Sequence, residues 1–148
     1  MSKLMDTAYT VLSYGGTMST MKMEKLVYYS QARSLAERGT VLFPEDFQAW
    51  TNGPVCFDLF RVHRGMYAIS LRDFRQRVPG ARLLEGEDLR IVESVVKDLG
   101  GYTGRELSEL THRELPWKNA RGDAKSYEPG KTIITKQAMR SYYSAVGN

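Results

Sequence analysis

The chain of 148 residues has one cysteine, Cys56, so no disulfide can form within it. Its histidines are two, His63 and His112. That set falls short of a structural zinc site, which usually takes four Cys or His ligands. Long apolar runs are missing: no stretch approaches the ~20 residues that a membrane-spanning helix needs. The opening MSKLMDTAYTVLSYGG interrupts its apolar residues with Lys3 and Asp6. A secretory signal needs a longer unbroken stretch and a small-residue cleavage site, so the expected location is cytoplasmic. Excess charge is small as well, with 21 Lys and Arg against 17 Asp and Glu, a net +4. That is too little by itself to imply a nucleic-acid partner. No internal repeat or low-complexity tract is visible.

What is present is an ordinary globular balance, 42% hydrophobic and 26% charged residues. The length suits one domain spanning residues 1–148, and a chain of this size buries roughly 68–70% of its unfolded surface. Apolar spacing is mostly helical. Ala8, Val11 and Leu12 predict a helix over Asp6–Tyr14, stopped by Gly15 and Gly16. Ser19 or Thr20 caps a second, Met21–Arg38, with Glu24 placed to suit the helix dipole. Its first half is apolar over most of its circumference, which marks a central helix. Thr40–Phe43 and Phe47–Thr51 read as short strands split by Pro44. Pro54 reads as the first turn of a third helix, where its missing N–H costs nothing. Residues 65–86 read as loop-rich, and Glu87–Leu99 as a helix with a stripe of Leu89, Val92, Val95, Val96 and Leu99. Another helix starts at Thr103 or Gly104 and runs to about His112, and Pro116 closes that region. Residues 119–131 read as loop, and Thr135–Ala145 as the last helix. The expected fold is mainly α: one globular domain of about five to six helices, with a small β element near residues 40–52.

Catalytic and phosphate-binding motifs fail on inspection. GTMSTMKM, Gly16–Met23, has the length of a phosphate loop, but Met21 stands where the second glycine belongs and Met23 where a hydroxyl must bind magnesium. Gly130-Lys131-Thr132 has the right ending, but Lys125 takes the first glycine position. Cys56 and His63 would share a helix face about 10 Å apart, beyond hydrogen-bond reach, so Cys56 reads as a small core residue. His112, at a helix end, reads as a cap for the last carbonyls, with metal binding or base chemistry as the sharper alternative.

Between Arg61 and Arg82 the chain carries Arg61, Arg64, Arg72, Arg75, Arg77 and Arg82, with Asp73 as its one acid. This reads either as a solvated face or as a site for an acidic partner. The stretch has two aromatics, Tyr67 and Phe74, too few for a base-stacking platform. Trp50 and Trp117 sit next to turns and prolines, where tryptophan serves as a corner anchor or as an interface hot spot. Asn52-Gly53-Pro54 reads as a rigid corner.

Four segments carry a family resemblance: EKLVYYSQA (Glu24–Ala32), FQAWTNGPVCFDLFRVHRG (Phe47–Gly65), LGGYTGRELSELTHRELPWKNAR (Leu99–Arg121) and the closing MRSYYS. Their order and spacing resemble the Panacea, or SocA-like, antitoxin domain of prophages and toxin–antitoxin operons. The resemblance implies a mostly helical fold and an antitoxin that neutralises a neighbouring toxin by direct protein contact. It implies no enzyme activity, and the residues themselves point to no cofactor, metal or membrane. An ATP-dependent protease is a further partner in one branch, where the domain delivers the toxin as an adaptor. A nucleic-acid-binding regulator is the other alternative. On this reading Trp50, Asn52, Arg61, Arg64, Arg72, Arg75, Arg77, His112 and Trp117 are the candidate toxin-binding residues.

Overall fold

The computed structural model describes residues 2–146. Helix α1 (Lys3–Gly15) starts earlier than its spacing predicts, because the Ser2 hydroxyl accepts the Met5 N–H and caps it. Strand β1 (Met18–Ser19) leads into α2 (Thr20–Arg38), capped by the Ser19 side chain and ended by Gly39 in the left-handed conformation. Helix α2 is the axis of the fold. Met23, Leu26, Val27, Tyr28, Ala32 and Leu35 are all buried on different sides of it.

The segment 40–43 is not a strand. The Gln31 side chain holds two of its backbone groups, donating to Phe43 O at 2.7 Å and accepting from Leu42 N at 2.7 Å. Ser34 Oγ donates to Thr40 O. Backbone groups engaged in this way cannot join a ladder.

Pro54 does not open a helix either. Strands β2 (Phe47–Trp50) and β3 (Gly53–Val55) form a tight hairpin, with Trp50 opposite Gly53 and Ala49 opposite Pro54. Ala49 N–H donates to Thr132 O and its carbonyl accepts from Arg121, both away from β3. Ala49 and Pro54 are therefore a pair that exchanges no ladder bonds, and a residue without an N–H fits there. Helix α3 (Phe57–His63) begins three residues later.

The arginine-bearing loop contains two short elements, β4 (Ala68–Ile69), antiparallel to β1, and α4 (Leu71–Arg77). A capping box of Ser70 and Asp73 starts α4, and Phe74 is its one buried residue. Helices α5 (Gly86–Leu99) and α6 (Gly104–His112) follow the sequence reading closely. Pro116 opens rather than closes an element: it sits in the first turn of α7 (Leu115–Arg121). After a loop, β5 (Ile133–Ile134) pairs with β2, and α8 (Lys136–Ala145) packs back on α2. The fold is mainly α, with eight helices among the described residues rather than five to six. The two unforeseen ones, α4 and α7, are seven residues each.

Helices α1, α5, α6 and α8 surround α2. A polar knot fixes the last of them. Tyr29 and Tyr143 hydroxyls both donate to Glu114 Oε1, at 2.7 and 2.6 Å, and Tyr28 and Tyr143 hydroxyls meet at 3.0 Å. Two donors on one oxygen satisfy a carboxylate that burial otherwise penalises.

Candidate functional site

The hairpin stands across from α3, and between them lies an open cleft of about 850 Å³. One wall is Trp50, Thr51 and Asn52, and the other is Phe57 and Phe60 of α3 with Arg64 just past its end. Glu24, Lys25 and His63 lie at its base, and Pro129–Lys131 borders it. Trp50 meets Phe60 edge-on at 5.0 Å, and its indole N–H donates to Gln48 Oε1 at 2.7 Å. Arg64 lies over the Phe60 ring at 5.6 Å. Phe57 is 40% exposed, a large apolar face left to solvent.

Four ionisable groups, Glu24, Lys25, Cys56 and His63, lie buried under this aromatic layer. Glu24 Oε1 accepts the Cys56 N–H at 2.9 Å, and Oε2 lies 2.8 Å from His63 Nε2. Glu24 is thus a joint between α2 and α3, not the helix-dipole partner that the sequence suggests. Lys25, 1% exposed, donates to Pro54 O at 3.0 Å. Burial pulls its ammonium down to about 8, against the opposing pull of Glu24. Burial and the Glu24 charge push the Cys56 thiol up to about 12, so at neutral pH it is a thiol and a poor nucleophile.

Of the sequence-derived candidates, Trp50, Asn52 and Arg64 line this cleft together. Arg61 is exposed on α3. Arg72, Arg75 and Arg77 are exposed on α4, and Arg77 Nη1 reaches back to donate to Val62 O at 2.9 Å. Arg82 is exposed beyond α4. None of the six arginines forms a carboxylate ion pair among the described residues. His112 and Trp117 stand elsewhere. Their rings stack at 4.0 Å, and Trp117 Nε1 donates to Trp50 O at 2.8 Å, so this pair braces the hairpin from behind. His112 does not cap its helix with its side chain: Nε2 is buried without a partner among the described residues, and burial lowers the imidazole pKa.

Sequence reasoning missed Lys25 and Lys131 as parts of this cleft, and missed the linking role of Glu24. The available signal was KMEKLVYY, where adjacent opposite charges interrupt a helix that is apolar all round. No group of three or more His, Cys, Asp or Glu that could hold a metal occurs among the described residues. Among them, no helix is long and apolar enough to cross a membrane.

Residues 23–118 match the family model described as antitoxin SocA-like, Panacea domain. The match covers the central helix, the hairpin, α3 and the arginine stretch, and the chain belongs to this family. No curated protein and no solved structure matches it.

Proposed function

We propose that this chain is the antitoxin of a toxin–antitoxin pair and neutralises its cognate toxin in the cytoplasm by direct protein contact, without catalysis of its own. Family membership supports the antitoxin class. The observation that carries direct contact is the set of arginines on and beside α3 and α4, two helices joined where Arg77 Nη1 donates to Val62 O. These arginines are exposed and lack carboxylate partners among the described residues. Beside them lies a cleft walled by half-exposed aromatics. Aromatic and arginine side chains are the types that concentrate binding energy at protein interfaces.

The test is growth of cells expressing the adjacent open reading frame, with and without this chain. The expected outcome is arrest by the neighbour alone and recovery with both, the two proteins then co-purifying. A harmless neighbour, or toxicity untouched by this chain, overturns the reading. Toxin half-life is expected to be unchanged by co-expression. A shortened half-life would replace sequestration with delivery to a protease.

A further inference from the structure

The cleft carries an unbalanced charge. Its one carboxylate among the described residues, Glu24, is engaged through both oxygens, by the Cys56 N–H and by His63. Its cations are Lys25 at the base and Arg64 and Lys131 at the border. Lys25 is almost wholly buried, and its ammonium has Pro54 O as its one hydrogen-bond acceptor among the described residues. An ammonium has three donors. A buried cation with donors to spare favours an added anionic acceptor, because the desolvation of the lysine has already been incurred in folding. Next to it, Phe57 and Phe60 offer an apolar wall.

Resting on the antitoxin reading above, we infer that this cleft seats a short acidic segment of the toxin. One apolar side chain of the segment lies against Phe57 and Phe60, and a carboxylate points toward Lys25, Arg64 and Lys131. The volume, about 850 Å³, is that of a compact ligand pocket and admits a few residues, not a folded element. A nucleic-acid strand fits less well. Strand binders need a cationic groove that follows the phosphate backbone past successive stacking faces. Here Trp50 is packed edge-on to Phe60, and the cations converge on one pocket.

Two arms test this. The first uses the neutralised toxin and the triple variant Phe57→Ala, Arg64→Glu, Lys131→Glu, at exposed positions whose Tm is measured alongside. Affinity for the toxin is expected to fall by at least about tenfold, with loss of growth rescue, while Tm stays near wild type. Wild-type affinity in that variant overturns the cleft as the docking site and leaves the antitoxin reading standing. The second arm needs no toxin. Isotope-labelled protein is titrated to millimolar concentration with acetyl-Asp-Phe-Glu-Leu-amide, with acetyl-Lys-Phe-Lys-Leu-amide, and with hexathymidylate. The acidic peptide is expected to shift the amide signals of Trp50, Thr51 and Arg64, and the lysine peptide to leave them in place. Equal shifts from both peptides, or none from either, overturn the proposal. A stronger response to hexathymidylate overturns it in favour of a nucleic acid. If the neighbour proves harmless, the antitoxin reading falls and the peptide arm alone decides the cleft.

Discussion

Glu24 Oε2 and His63 Nε2 lie 2.8 Å apart, with side chains 2% and 6% exposed. The second Glu24 oxygen holds the N–H of Cys56, the residue that caps the same helix whose last residue is His63. One carboxylate therefore fixes both ends of α3 to α2, and with them the aromatic wall of the cleft. Glu24→Ala strips a buried N–H and a buried imidazole of their acceptor, and is expected to cost about 3–5 kcal/mol. Glu24→Gln keeps an oxygen for Cys56 and sets an amide against the imidazole, so about 1–3 kcal/mol is expected. Urea midpoints should fall in the order wild type, Gln, Ala. Equal midpoints would remove this joint from the supports of the fold.

Gly53 turns the hairpin at φ +113, a conformation that residues with a side chain rarely adopt. A Cβ there would lie 2.8 Å from Lys25 Cε and 2.8 Å from Thr111 Oγ1. Gly53→Ala therefore adds strain and displaces Lys25, and is expected to cost about 2 kcal/mol in thermal unfolding. The Thr51 and Asn52 amide signals should move with it. A variant with unchanged Tm would mean that the corner yields more easily than its geometry implies.

What could be read from the sequence was what local chemistry decides. Helices α2, α5, α6 and α8 fall within a residue or two of their caps and stripes, because Ser19, Gly39 and Thr103 act on their own neighbours. Helix α4 has no apolar stripe, since Phe74 alone is buried, and its start shows only in the Ser70 and Asp73 capping box. Pro54 was legible as a corner but not as a strand residue. What decides that lies far along the chain, in Thr132 and Arg121, which take both backbone groups of Ala49. The site follows the same division. Trp50 and Arg64 stand out by residue type, whereas the partners of Glu24 lie 32 and 39 residues away.

Lys25 gives the stability a defined pH slope. Its folded value, about 8, lies below the 10.5 of the free side chain. Between those values the unfolded chain binds a proton that the folded chain has released, so this group adds stability as pH rises from 8 to 10.5. The full swing is roughly 3 kcal/mol. The Cys56 thiol, raised to about 12, opposes it above pH 9, and the buried Tyr28, Tyr29 and Tyr143 phenols, raised by burial, oppose it above pH 10. Comparison with Lys25→Met isolates the lysine. The Tm of wild type minus that of the variant is expected to climb across pH 8–10.5, and a flat difference would show that the ammonium is not held in a desolvated state.

The arginine face predicts a rate effect. Arg61, Arg72 and Arg75 are exposed and have no carboxylate partner among the described residues. Arg77 differs, because its Nη1 holds Val62 O and so links α4 to α3. Asp73, the acid of α4, is occupied in the Ser70 capping box, and those hydrogen bonds above all hold its carboxyl below the usual range. The informative reversal is therefore Arg61→Glu, Arg72→Glu and Arg75→Glu, with Arg77 left intact. Each change sits on the surface and should move stability by no more than about 0.5 kcal/mol. Rim charges act mainly on encounter, so the association rate with the proposed toxin should fall roughly tenfold or more at low salt, and lose most of its ionic-strength dependence. Dissociation should change little, because the anchoring aromatics are untouched. Stopped-flow association at two salt concentrations reads both quantities. An unchanged rate would take the basic face out of the interface and leave the cleft to account for binding by itself.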